Sequence, residues 1–63
     1  MDNIRRGNRQ LIKELNRTFV VNTILNYEPV SRTKIARFTE LSLSTVSNIV
    51  ASLIKRGLVQ EVG

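Results

Sequence analysis

The sequence predicts a mainly α-helical domain of the winged helix-turn-helix class, with three helices, short strands and a wing that is cut off. Apolar residues recur at three- and four-residue steps in three successive segments. Pro29 and Gly57 interrupt this pattern where helices would end. The chain has only 63 residues, so it can form one small domain with an economical core.

The first predicted helix starts at Asn8, a suitable N-cap residue, and stops before Pro29. Its apolar positions recur at helical spacing and are Leu11, Ile12, Leu15, Phe19, Thr23, Ile24 and Tyr27. Val20, Val21 and Leu25 widen this stripe beyond what one partner face needs. The additional width indicates either a dimer surface or simply core.

The second and third helices follow closely on each other. Ser31 is the predicted N-cap of a helix of about two turns, with Ile35, Ala36 and Phe38 as inward candidates and Arg32, Lys34 and Arg37 outward. Glu40 and Leu41 form a tight bend, and Ser42 caps a helix from Leu43 to about residue 56. Its apolar stripe comprises Val46, Ile49, Val50, Leu53 and Ile54.

The two ends of the chain are predicted to differ from the helical middle. Residues 1–7 show no apolar period and are expected to be a flexible basic arm before a domain of residues 8–63. Gly57 ends the third helix, and residues 58–62 are a strand candidate rich in β-branched residues. Because a lone strand leaves both edges unpaired, we expect either that the sequence is a fragment of a longer chain or that the pairing strand belongs to another chain.

The spacing around the bend favours two helices that cross over a short turn. Ala36 is small enough to let the third helix approach, and Val46 is expected to face it, with Ile35, Leu41 and Ile49 completing the contact. The bend position commonly takes a positive φ, so Glu40 there should cost roughly 1 kcal/mol relative to glycine. The alternative is a generic three-helix bundle, in which Ala36 and Val46 are ordinary core residues.

Composition excludes most catalytic chemistry. The chain has no histidine and no cysteine, and its five acidic residues are scattered, so we expect no enzyme, no catalytic or metal-binding residues and no cofactor. The longest apolar run has three residues and no signal peptide is evident. We therefore expect a cytoplasmic protein without a membrane partner. The net charge of +5 favours a polyanionic partner, nucleic acid above all.

The outer face of the third helix is typical of a surface that contacts bases. It carries short neutral donors and acceptors and no acidic residue, and the candidate base contacts are Ser44, Thr45, Ser47 and Asn48. The alternative is that these side chains form an ordinary polar surface. Candidate phosphate contacts are Ser31, Arg32, Thr33, Lys34 and Lys55, most of them at the start of the second helix, where an anion is favoured.

Several short motifs occur in order along the chain: GN with Leu11, LNR at 15–17, PVSRTKIA at 29–36, LS at 41–42, TVSNIV at 45–50 and GLVQEVG at 57–63. Together they resemble the N-terminal domain of ROK-family transcriptional repressors, of the xylose-repressor and N-acetylglucosamine-repressor type, over residues 7–63. Glu40 departs from the Thr-Gly-Leu-Ser sequence that is common at this bend in the family.

The resemblance implies a sugar-responsive bacterial repressor that binds operator DNA as a homodimer. It also implies that the sugar site and a zinc-binding cysteine cluster lie in a later domain, so this fragment should bind neither ligand. Two other functions remain open from the residues alone. One is a winged-helix module that binds a protein partner without DNA readout. The other is RNA binding, for which Tyr27 is the only plausible stacking residue.

Overall fold

The computed structural model describes residues 2–60, with side chains from residue 8 onward. Its three helices are α1 (Asp2–Tyr27), α2 (Arg32–Thr39) and α3 (Leu43–Lys55). Each helix packs against both of the others. This arrangement confirms the predicted mainly helical helix-turn-helix class.

α1 begins earlier than the sequence indicated. The prediction that this helix starts at Asn8 is wrong, because the backbone is helical from Asp2 and Asn8 lies inside the helix. The arginines near this end are good helix formers, and a single glycine, Gly7, costs only about 1 kcal/mol relative to alanine. The other end agrees with the prediction: α1 stops at Tyr27, just before Pro29.

The core is small and every helix contributes to it. The buried apolar side chains are Val20 from α1, Ile35 from α2, and Val46, Val50 and Leu53 from α3. Ala36, Leu41 and Ile49 are partly buried against this cluster, as the sequence predicted. Among the α1 residues whose side chains are described, Val20, Val21 and Ile24 belong to this cluster, whereas residues 8–15 are exposed.

Two side chains of α2 differ from their predicted environments. Phe38 was an inward candidate but is half-exposed, and its ring stacks on Tyr27 with the centroids 4.8 Å apart. Three residues along a helix turn the side chain about 60° away from Ile35, which moves Phe38 from the core to the junction with α1. Arg32 is half-buried rather than outward as predicted, and it lines a cavity together with Ile24 and Val50.

The turn between α2 and α3 is held by local hydrogen bonds. Glu40 has φ 60° and ψ 20°, the left-handed conformation that the sequence predicted for this position. The hydroxyl of Thr39 donates to the Ile35 carbonyl at 2.7 Å and accepts from the Leu41 N–H at 3.4 Å. Ser42 then caps α3, as expected.

α3 ends at a glycine. The Gly57 N–H donates to the Ile54 carbonyl and the Leu58 N–H to the Leu53 carbonyl, both at 2.9 Å. With Gly57 at φ 74° this is a Schellman motif, which satisfies the last carbonyls of the helix. Residues 58–60 continue as irregular chain, so the predicted strand is wrong there. Residues 61–62 of that strand lie outside the described residues.

Glu40→Gly is expected to raise the free energy of unfolding by about 0.5–1 kcal/mol, because glycine adopts the left-handed conformation without a Cβ clash. Urea denaturation followed by circular dichroism measures this change. Glu40→Gln is the matched control, since it removes the charge but keeps the Cβ. An equal gain from both substitutions would assign the effect to charge and contradict the conformational explanation.

Candidate nucleic-acid interface

α3 has one buried side and one exposed side. Val46, Val50 and Leu53 face the core. Ser44, Asn48 and Lys55 are exposed, and their spacing of four and seven residues places them on one stripe opposite that core side. Thr45 and Ser47, the other two predicted base contacts, are half-buried at the edges of the stripe. The fold therefore presents two candidate base contacts fully and two in part.

The start of α3 is fixed by a reciprocal pair of hydrogen bonds. The Ser42 hydroxyl oxygen accepts the Thr45 N–H at 3.1 Å, and the same hydroxyl donates to the Thr45 Oγ1 at 2.9 Å. The Thr45 hydroxyl is thus an acceptor within the turn, while its own proton remains available to donate. This pair positions the first turn of α3, where a recognition helix contacts bases.

Sequence reasoning missed one residue of the exposed stripe. Ala51 is exposed and lies between Asn48 and Lys55 on the same side of α3. A small side chain there allows close approach of another surface, and an alanine methyl can contact a thymine methyl. The spacing from Ser44, seven residues, was the signal that would have found it.

The predicted phosphate contacts fall into two groups. Ser31 caps α2 by accepting the Lys34 N–H at 3.1 Å, and Ser31, Thr33 and Lys34 are all exposed. Arg32 is half-buried at a cavity of about 620 Å³, so only part of its side chain is accessible. Lys55 is exposed at the far end of α3, away from the α2 group in sequence.

The electrostatic character of this surface is basic. α3 contains no acidic residue, and α2 adds the exposed Arg37 near its C-terminal end. Arg56, directly after α3, is exposed as well. A surface of this composition attracts polyanions and repels acidic partners.

Metal and membrane sites are not found in the part of the chain that the structure describes. Among residues 8–60, whose side chains are described, no three acidic side chains come together in a way that could hold a metal ion. Over the same range no helix is both long and apolar enough to cross a membrane.

Comparison with known proteins adds the family context. The model of the MarR family matches residues 13–61. The xylose repressor of Caldicellulosiruptor bescii is 46% identical over 57 residues, which are 90% of this chain and 14% of the relative. The DNA-binding transcriptional dual regulator NagC of Escherichia coli K12 is 43% identical over 56 residues, 89% of this chain and 14% of that protein.

The xylose repressor of Bacillus subtilis is more distant, at 36% identity over 57 residues, covering 90% of this chain and 15% of the relative. The chain thus spans about one seventh of the length of these relatives. The relatives confirm the predicted resemblance to ROK-type repressors. No solved structure matches the chain.

Ser42→Ala is expected to lower the free energy of unfolding by about 1 kcal/mol, because the first turn of α3 loses its side-chain cap. Thermal unfolding followed by circular dichroism measures this loss. Ser44→Ala, an exposed serine two positions further on, is the matched control and should change stability by less than about 0.5 kcal/mol. Equal losses from both variants would contradict the structural role of Ser42.

Proposed function

The chain belongs to the MarR family, whose domain is of the winged-helix type, and we propose that it is the DNA-binding domain of a sugar-responsive bacterial transcriptional repressor. It binds double-stranded operator DNA in a sequence-specific way. The observation that carries the proposal is the exposed stripe of α3 opposite the core, which has short polar side chains at Ser44 and Asn48, the small Ala51, and no acidic residue. Relatives named xylose repressor and DNA-binding regulator support the same conclusion.

In this proposal α3 lies in the major groove. Ser44 and Asn48 meet base edges directly, and Thr45 and Ser47 contribute from the two sides of the stripe. Asparagine can form two hydrogen bonds with adenine, so Asn48 supplies the strongest single preference. Its exposure and its place near the middle of the stripe support this role.

The phosphate contacts come from the start of α2 and the end of α3. Ser31, Thr33 and Lys34 are exposed where the helix dipole favours an anion. Arg32 contacts the DNA phosphate at the start of α2 from its half-buried position. Lys55 contacts the DNA backbone next to the bases that α3 reads. Contacts of this kind supply affinity and orientation, whereas the α3 stripe supplies sequence preference.

The proposed function of the whole protein includes dimerisation on DNA. Two copies bind a palindromic operator as a homodimer, which matches the symmetry of the protein to that of the DNA. This chain binds no sugar and catalyses no reaction, and the protein acts in the cytoplasm. The absence of histidine and cysteine from the sequence supports a non-catalytic role.

Selection from a pool of random duplexes tests the proposal as a whole. The chain is fused at its C-terminus to a dimerising domain, and bound duplexes are sequenced over several rounds. An enriched inverted repeat is the expected result. Salt-sensitive retention without enrichment would contradict sequence-specific binding, and no retention at all would favour a winged-helix module that binds protein instead.

Asn48→Ala is expected to reduce the preference for one base pair of the selected site by about 1–3 kcal/mol, because the bidentate contact is lost. Fluorescence anisotropy with the site and with its single-base variants measures this change. Lys34→Ala is the matched phosphate variant: it should weaken all duplexes alike and reduce the slope of affinity against salt. Equal losses on specific and random DNA for Asn48→Ala would exclude its role in base recognition.

A further inference from the structure

A groove between α1 and the turn after α2 is lined by every aromatic side chain of the protein. The sequence has one tyrosine, two phenylalanines and no tryptophan, and Phe19, Tyr27 and Phe38 all line this open groove of about 420 Å³. Each of the three side chains is about half exposed. Tyr27 and Phe38 stack on each other with their ring centroids 4.8 Å apart. This surface, which we call the aromatic groove, therefore presents its rings to solvent.

The aromatic groove has the length of a short extended segment. Phe19 and Tyr27 lie eight positions apart on α1, which corresponds to about 12 Å along the helix axis. An extended chain covers this distance with about three or four residues. Asn22 and Asn26 line the groove between these two rings, and both are exposed. A bound segment would thus meet polar side chains along its length and rings at both ends.

Two threonines of the aromatic groove already use their hydroxyl protons within their own helices. The Thr23 hydroxyl donates to the Phe19 carbonyl at 2.8 Å, and the Thr39 hydroxyl donates to the Ile35 carbonyl at 2.7 Å. These protons are therefore not offered to a ligand. The lining groups that can bind one through polar contacts are the amides of Asn22 and Asn26 and the carboxylate of Glu40.

The charge in the aromatic groove is negative. Glu40 is exposed and lines the groove, and no described lysine or arginine does so, although the chain carries a net charge of +5. Glu40 also holds the left-handed conformation, with φ 60°, that glycine adopts with less strain. The chain thus keeps a carboxylate beside the three rings at a position where a residue without a side chain would be more stable.

We propose that the aromatic groove binds an arginine side chain carried by an extended, apolar segment of a partner protein. A guanidinium is planar and stacks on aromatic rings, and it donates hydrogen bonds without accepting any. Its plane lies against the rings of Tyr27 and Phe38, while its N–H groups donate to the Glu40 carboxylate and to the Asn26 amide oxygen. The apolar neighbours of the arginine pack towards Phe19.

The charges and polar groups of the groove distinguish this partner from others. A single carboxylate balances a single cation, whereas a strongly basic segment is repelled by the net charge of +5. A wholly apolar segment would take water from Glu40 and the two amides without replacing their hydrogen bonds. An acidic segment would bring a like charge against Glu40. One arginine with apolar neighbours satisfies all of these lining groups.

A titration followed by two-dimensional ¹H–¹⁵N NMR tests the proposal on the unmodified chain. The ligands are the peptide acetyl-Leu-Arg-Leu-amide and the same peptide with citrulline, which has nearly the shape of arginine but no charge. The arginine peptide should cause saturable shifts at Asn22, Asn26, Tyr27 and Glu40, with a dissociation constant of about 1 mM or lower. The citrulline peptide should bind at least about fivefold more weakly.

Three variants assign the binding to the aromatic groove. Glu40→Gln should remove the preference for arginine over citrulline. Phe38→Leu should weaken binding of the arginine peptide about threefold or more, because a ring is lost. Glu28→Gln is the matched control, since Glu28 is also exposed but does not line the groove. It should leave both dissociation constants unchanged at about 0.15 M salt, which screens distant exposed charges.

The titration contains no DNA, and the groove shares no residue with the proposed DNA contacts, so this inference and the proposed function can fail separately. Circular dichroism of each free variant checks that the helical content of the parent is kept. Equal affinity for the two peptides, no saturable shift up to about 10 mM peptide, or equal effects of Glu40→Gln and Glu28→Gln would overturn the proposal. Shifts centred on the cavity beside Arg32 instead would assign the binding to that cavity and overturn it as well.

Discussion

The burial of Val46 together with Val20 and Ile35 is the constraint on which the rest of the structure depends. These side chains come from three different helices and are almost fully enclosed. Among the residues whose side chains are described, five apolar side chains are buried, and these three are the ones that join all three helices. The orientation of α3, and with it the direction in which Ser44 and Asn48 point, follows from how Val46 packs.

A core of this size is supplemented by local hydrogen bonds at the ends of α2 and α3. Ser31 and Ser42 cap α2 and α3, and the Thr39 hydroxyl bridges the turn between them. The Schellman motif at Gly57 closes α3. Glu40 keeps a strained left-handed conformation that glycine would adopt more easily, and the Thr39 hydrogen bonds hold the turn in spite of it.

α1 and α3 each have two sides of different composition. Each buries one side and leaves a second, differently composed side exposed. On α3 the exposed side is short, polar and without acid, which suits base edges. On α1 it is apolar and nearly uncharged, which suits another protein surface.

The sequence by itself determined the helix-turn-helix order, the caps at Ser31 and Ser42, the positive φ of Glu40 and the polar stripe of α3. These features depend on interactions between residues three or four positions apart, which a sequence displays directly. Only the tertiary structure decided that Phe38 leaves the core and stacks on Tyr27, that Arg32 is half-buried, and that residues 8–15 of α1 stay exposed. Burial depends on where distant helices cross, and helical periodicity shows which residues share a face but not whether anything covers it.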